Sequence, residues 1–424
     1  MNLDNHYYGT YYISRFAGFT HEEALKIAWA AQTVDECKIG NIKPFKDEIP
    51  KDKFILTVTD PLEDKRDFFY VSNSLEEDIY SEDDRITAIR AIWMPFHFLP
   101  GNFVGAVSIG GIKHFHGLKI TRTPYGGDWS SQDDHDMAMM CRTSTETCNR
   151  IIRNAKNQYD SRKDTNPDAA LFAVGISMHV LADTWSHQYF VGSSNYYVNN
   201  IVQTNVPPTE AKIRILNAAA SASLSIHTVD CLGHGMAGYE PDYAYLENYW
   251  TIPYWNTKVR EADKKITRNN LQGFSDGFSQ MLCALRYIRG ERGSLRLKKE
   301  LLLSSDDKAV IEKIKNYVFR YPVKDQRYFW LNLIKWEQLT DGSEFPEYEF
   351  YTKKEDIAKI IDFMEMAKLH RESVINFIND HYKGVFTYLK FDSKLDYIFK
   401  SKKDAYHAPK DIDKAIMEYY KDFN

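Results

Sequence analysis

No membrane span is expected in this 424-residue chain. The longest weakly polar run, residues 98–112, holds 15 residues with Pro100 and four glycines, where a spanning helix needs about 20 apolar residues. Cysteine is sparse: Cys37, Cys141, Cys148, Cys231 and Cys283 are odd in number and none forms a C-x-x-C pair, so neither a disulfide framework nor a zinc finger is expected. Basic charge is not in excess either. The 54 Lys and Arg against 59 Asp and Glu leave a formal charge of −5, which argues against a stable platform for duplex nucleic acid. The first residues, Met-Asn-Leu-Asp-Asn-His, have neither the basic n-region nor the apolar h-region of a secretory signal, so the expected location is cytoplasmic. Internal repeats and low-complexity tracts are missing.

What is present is a large stock of core-forming side chains, 43% apolar and 14% aromatic, which excludes general disorder and supports a substantial core. Helical signals dominate. Residues 4–17 read as a helix closed by Gly18, and Thr20 to Glu23 reads as a capping box that starts another helix. In that second helix Ala24, Ile27, Ala28, Ala31 and Val34 share a face, and the pattern ends near Gly40. Further helical patterns fall at about 85–95, 132–157, 168–191, 209–232 and 260–290. Two β-rich runs, 53–60 and 67–72, predict a small hairpin inserted near 53–72. Residues 73–84 carry six acids and read as a solvated stretch. Beyond about 295 the chain alternates charged and aromatic helical segments such as 308–317 and 357–381. The expected architecture is therefore mainly α, with a helical metal-binding region over 1–290 and a helical accessory region over 291–424.

Histidine is unevenly placed, with ten of 13 in the first 234 residues. The densest polar pattern on an apolar background is His179, Asp183 and His187, spaced four and four. On a helix these span about 80° of the face shared by Phe172, Ile176 and Phe190. A carboxylate buried between imidazoles is costly unless it is paired or holds a cation. The alternative is a hydrogen-bonded His-Asp pair in the core. Asp35 extends the apolar face of its helix, and His6 shares a face with Thr10, Ile13 and Ala17. His227, Asp230 and His234 form a third set at i, i+3 and i+7, provided the helix runs through Gly233. A middle histidine is preferred at His97, in an aromatic and proline-rich context, over His114 or His116. The acids at 133–136 read as the charged first turn of a helix, Arg268 and Asn269 as a solvated helix face, and the many tyrosines as packing residues with a polar tip.

The segments His-Tyr-Tyr-Gly-Thr-Tyr (6–11), Ala-Ala-Gln-Thr-Val-Asp (30–35), Pro-Phe-His-Phe-Leu-Pro (95–100), His-Val-Leu-Ala-Asp-Thr-Trp-Ser-His-Gln (179–188) and Gly-His-Gly (233–235) together resemble an uncharacterised bacterial family. More distantly, the order of His6, Asp35, a middle histidine, the H-x-x-x-D pair and later histidines resembles the zinc-dependent phospholipase C and S1/P1 nuclease superfamily. The resemblance covers about residues 1–290. It implies a helical bundle of that type holding two or three Zn²⁺ ions, with His6, Asp35, His97, His179, Asp183, His187, His227, Asp230 and His234 as ligands and Asp35 as a bridging, water-orienting catalytic carboxylate. Three departures stand out. Residue 1 is Met where those enzymes have a tryptophan whose amine and carbonyl bind zinc, so His6 is expected to lack that companion. The histidine after Asp183 comes at +4 where +6 is usual, and the intervening proline segment is missing.

The functional expectation is a metal-dependent phosphoesterase in which metal-activated water attacks a lipid, nucleotide or small phosphodiester. Other divalent transition metals suit the same imidazole and carboxylate donors. The alternative is a non-catalytic, metal-stabilised protein whose C-terminal helical region binds a partner.

Overall fold

Helices dominate the residues that the computed structural model describes, namely 1–42, 44, 48–50, 52–58, 90–103, 107–109, 112–115, 118–121, 136–193, 195–199, 201–205, 232–253, 265–297, 303–350, 356–381, 389–391 and 397–399. A π-helical turn, Asp4–Gly9, runs directly into α1 (Thr10–Phe16), and the chain reverses at Gly18, whose φ of +91° suits a residue without Cβ. The capping box is present at the head of α2 (His21–Glu36): Thr20 Oγ1 accepts from the Glu23 amide at 3.3 Å and Glu23 Oε2 accepts from the Thr20 amide at 2.8 Å. The later helices are α3 (Glu146–Arg162), α4 (Pro167–Ser186), α5 (Asn270–Ile288), α6 (Ser305–Ile314), α7 (Arg327–Trp336) and α8 (Ile357–His381).

α4 organises the rest. Asn166 Oδ1 caps it by accepting from the Ala169 amide at 3.1 Å, with Pro167 in its first turn. Its apolar residues run round the whole circumference, so it can be stable only inside other helices. Every residue from Ala169 to Ser186 is buried, and α2, α3, α5 and α8 pack around it. By length and composition α4 would also pass for a membrane span; here it is the central core helix. One hydrophobic cluster runs from Met1 to Ile378, so α6, α7 and α8 share the core built by the earlier helices.

The α2–α4 crossing is unusually close. A Cβ on Gly175 would fall onto the Ile27 carbonyl oxygen and lie 2.7 Å from Ala30 Cβ. Small residues on both sides therefore let the two backbones touch, and this sets α2 at a fixed depth along α4.

The β structure is minor and lies away from the expected hairpin. Residues 52–58 form no strand; Phe54, Ile55 and Leu56 are buried as irregular chain in the core, and the remainder of the expected 53–72 hairpin lies outside the described residues. Antiparallel strands occur as β1 (Val107–Ile109), β2 (Ile112–Phe115) and β3 (Leu118–Thr121), as β4 (Ile201–Thr204), β5 (Tyr249–Pro253) and β6 (Ile266–Arg268), and as the pair β7 (Leu389–Phe391) and β8 (Tyr397–Phe399).

Several other expectations are corrected. The helix expected over 132–157 is interrupted, because the Cys141 amide donates to Phe190 O at 2.8 Å, Tyr189 returns a bond at 3.1 Å, and Ser144 takes φ +60° before α3 begins. α4 ends at Ser186, short of 191, since Tyr189 takes φ +77°. The pattern expected at 209–232 lies almost wholly outside the described residues, as do the acids at 133–135. Asp136 does stand in a helical stretch, 136–138, but it is buried, paired with Arg90 Nη2 at 2.5 Å, and accepts from Asn195 Nδ2 at 2.7 Å. Arg268 lies on β6 and is buried, its Nη2 donating to Trp185 O at 3.0 Å and Ser186 O at 2.6 Å. It thereby caps the carbonyl end of α4. Asn269 is the N-cap of α5, its Oδ1 accepting from the Gln272 amide at 2.8 Å.

Two consequences are measurable. Gly175→Ala must push α2 away from α4, and we expect a loss of about 1–3 kcal/mol in chemical denaturation; unchanged stability would show that the contact is loose. The second concerns His370 on α8, buried with Nε2 2.9 Å from Pro95 O, whose pKa burial pushes down to about 4 from an ordinary 6.5. Because the unfolded chain takes up this proton first, stability falls as pH drops from about 6.5 towards 4. His370→Gln should flatten that fall by up to about 3 kcal/mol, read by denaturation at stepped pH; parallel curves would remove His370 as the cause.

Candidate metal centre

Three groups of side chains meet at one end of the α1, α2 and α4 assembly. The π turn Asp4–Gly9 carries His6, the last turn of α2 carries Asp35, and α4 carries His179 and Asp183 one turn apart. Helical residues 90–96 lead into His97. His187 is the C-cap of α4, its amide bonded to Asp183 O at 2.8 Å. His234 sits in the turn that follows Gly233, and Asp242 closes the short 3-10 turn Glu240–Asp242. Gly233 is required there: its φ is +54°, and a Cβ would fall into the Phe98 ring.

The separations between donor atoms suit shared ions. His6 Nε2 lies 3.2 Å from Asp183 Oδ1, His179 Nε2 3.2 Å from Asp183 Oδ2, and His97 Nδ1 3.4 Å from Asp183 Oδ2. His187 Nε2 lies 3.3 Å from Asp242 Oδ1 and His234 Nε2 3.4 Å from Asp242 Oδ2. Zinc–ligand bonds of 2.0–2.1 Å in a tetrahedron put ligand atoms about 3.3 Å apart. Direct N–H···O hydrogen bonds run from about 2.7 to 3.2 Å, so the longer of these contacts fit a shared ion better than a hydrogen bond. The donors therefore fall into three sets that can each hold an ion: His6, His179 and Asp183; Asp35, His97 and His179; and His187, His234 and Asp242. His179 and the two oxygens of Asp183 tie the first two sets together.

The ring orientations agree. His97 Nε2 lies 3.0 Å from Thr57 O, His187 Nδ1 2.7 Å from His97 O, and His234 Nδ1 2.8 Å from Gly238 O. Each ring donates an N–H to a main-chain carbonyl and turns its other nitrogen inward, the arrangement that metal-binding histidines adopt. His6 and His179 stack at 3.9 Å between centroids. Both nitrogens of His6 and Nδ1 of His179 are buried without a hydrogen-bond partner. Orphaned nitrogens of this kind are expensive in a core unless an ion takes their lone pairs.

Electrostatics keep the donors in their binding forms. Burial lowers His6, His179 and His234 to about 4, so all three are neutral at pH 7. Burial works against the Asp183 charge, but His187, the Met1 ammonium, His179 and His6 outweigh it and hold the carboxyl well below its usual range. Asp242 is held down in the same way, against burial, by the Met1 ammonium, His234 and His187. Asp35 is pushed upward by desolvation and by Asp183, against His6 and His97. Its side chain is 30% exposed, so that desolvation comes from packed surroundings on one side only.

The structure thus brings together His6, Asp35, His97, His179, Asp183, His187 and His234. His227 and Asp230 lie outside the described residues, as does His116, and of His114 only its place on β2 is described. Two groups were missed. Asp242 stands eight residues after His234 on a non-helical turn, where helical spacing has no reach; its only sequence signal is an acid shortly after a Gly-His-Gly. The Met1 amine lies 2.5 Å from Asp183 Oδ1 and 3.3 Å from Asp242 Oδ1, raised to about 10 by those carboxylates and Asp35 against its burial. The expectation that His6 lacks an N-terminal companion is therefore corrected.

Fold and site together define a mainly helical protein with clustered His and Asp donors suited to a metal ion. The chain belongs to DUF6765, a family of unknown function, which matches it over residues 1–398. No curated protein and no solved structure matches it.

Elemental analysis of two variants tests the grouping. Asp242→Ala should lose the ion of the His187, His234 and Asp242 set and retain the rest. Asp183→Ala should lose more metal and melt lower, because His6, His97 and His179 lose a shared partner. Full metal content in Asp183→Ala would place that residue outside the site.

Proposed function

We propose that this protein is a metal-dependent hydrolase of phosphate esters, holding two or three Zn²⁺ ions through His6, Asp35, His97, His179, Asp183, His187, His234 and Asp242. One observation supports catalysis over a purely structural role. Asp35 is 30% exposed, while Asp183 and the rings of His6 and His179 are essentially sealed. A structural site closes all its ligand positions, whereas a catalytic site keeps one open, and the Asp35 side is where this cluster is open. When bound, the ions polarise a phosphoryl oxygen and acidify water into a nucleophile near neutral pH.

The chain's own groups then divide the work. Asp183 and the carbonyl-oriented imidazoles hold the donor set rigid, which keeps reorganisation small when charge develops. Asp35 has one oxygen 4.0 Å from His6 Nε2 and the other 3.7 Å from His97 Nδ1, so it faces two of the three sets and orients water between them.

Asp35→Asn, compared with wild type at equal metal loading, should lower phosphodiester turnover by about 100-fold or more while the melting temperature moves little. A chelator should abolish the wild-type rate. Turnover that survives both treatments would place the chemistry elsewhere. No turnover of any phosphate ester by the fully metallated wild type would favour the non-catalytic reading, with metal as a staple.

A further inference from the structure

The exposed large hydrophobic side chains of the described residues are Tyr239, Tyr321, Val323, Tyr328, Leu331 and Trp336. Five of these six lie within residues 321–336. Elsewhere, tyrosines such as Tyr7, Tyr8, Tyr11 and Tyr12 are buried as packing residues, so the expectation that tyrosines serve as packing residues fails at Tyr321 and Tyr328. Scattered exposed apolar residues need no explanation, but a contiguous set does.

The set is contiguous. Tyr321 stacks on Phe329 at 4.5 Å and 15°, Tyr317 touches Phe329 at 5.8 Å and Trp336 at 4.6 Å, and Tyr328 meets Phe329 at 5.6 Å. Tyr328, Leu331 and Lys335 follow one another at i, i+3 and i+7 along the outer side of α7. Beneath this layer, Trp330 stacks on Phe278 at 5.6 Å and is fully buried. The outer rings therefore ride on a rigid base.

The charge is equally localised. Residues 315–336 hold five basic side chains (Lys315, Arg320, Lys324, Arg327, Lys335) and one acid, Asp325, in a chain whose formal charge is −5. Asp325 is paired with Arg327 at 2.6 Å; Arg320, Lys324 and Lys335 are exposed. The layer also adjoins the metal centre. Asn2 Nδ2 donates to Lys324 O at 3.3 Å, the Gln326 amide donates to Asp4 Oδ2 at 2.7 Å, and Lys324 Nζ stands 5.9 Å above the ring of Tyr243, next to Asp242.

We propose that the face formed by Tyr321, Val323, Tyr328, Leu331 and Trp336, with Arg320, Lys324 and Lys335, docks on an anionic lipid bilayer. Tyrosine and tryptophan suit the headgroup layer, since each has an apolar body and a polar tip. Unpaired lysine and arginine add attraction to anionic headgroups. A protein partner or a second copy of the chain would have to bury the same unpaired charges, which water and lipid phosphates at a bilayer surface satisfy. The proposal stands apart from the hydrolase reading, because it is read by binding and needs no turnover.

The test is co-sedimentation of the metallated full chain with vesicles of phosphatidylcholine alone and of phosphatidylcholine mixed with phosphatidylglycerol. Binding should appear on the mixed vesicles and weaken with salt. Charge reversal, Arg320→Glu with Lys335→Glu, should lower the affinity by at least about five-fold for each basic residue removed. Tyr328→Ser with Trp336→Ser, which alters exposed side chains only, should lower it at low and high salt alike. Failure to bind mixed vesicles, or equal binding by both double variants, would overturn the proposal. So would light scattering that shows a wild-type dimer dissolved by the Tyr328 and Trp336 changes, since the face would then be a self-association surface.

Discussion

The Asp183 carboxylate is the constraint on which the rest of the centre depends. A carboxylate sealed in the last turn of a mostly apolar helix can stay ionised only if cations and hydrogen-bond donors surround it. Here His6, His97 and His179 approach its two oxygens at 3.2–3.4 Å, with the Met1 ammonium at 2.5 Å. The elements that deliver these groups are the π turn before α1, the loop after residue 96 and the N-terminal residues, together with α4 itself. The close seating of α2 against Gly175 belongs to the same logic, because it sets the level at which Asp35 meets His179.

How much could be read beforehand follows from range. The capping box at Thr20, the face of α2, the span of α8 and the H-x-x-x-D pair are encoded within a few residues, and each appears in the structure. His97 was legible through its aromatic and proline-rich surroundings, which place it indoors. Asp242 was not, since its role arises from a turn that folds back onto His187 and His234, and no local period marks such a return. Helix lengths failed where tertiary bonds competed: the tie between Cys141 and Phe190 breaks one expected helix, and the turn at Tyr189 ends another. Arg268 misled for a related reason, its basic neighbours suggesting water while its own guanidinium closes the carbonyl end of α4.

The C-terminal helices carry two kinds of surface that the sequence blurs together. α8 alternates charge with apolar residues yet buries Lys368, His370, Arg371 and Glu372 against the core. α7, of similar composition, leaves Tyr328 and Trp336 in water. What separates them is which neighbours each face meets: α8 packs along α3 and α4, whereas α7 packs on the π turn bearing His6 and on residues 315–319 through its Trp330 side and leaves Tyr328 and Trp336 outward.

The hydrogen bond from His187 Nδ1 to the carbonyl of His97 joins the two ends of the cluster through a single peptide. An ion that settles the His97 ring also settles the carbonyl to which the His187 ring is tethered, so occupancy of one site lowers the ordering cost at the other. By linkage the effect is mutual. Loading should therefore be cooperative, with partly filled molecules rarer than independent sites would produce, and the coupling passes from the His97 ring through its own carbonyl to the His187 ring.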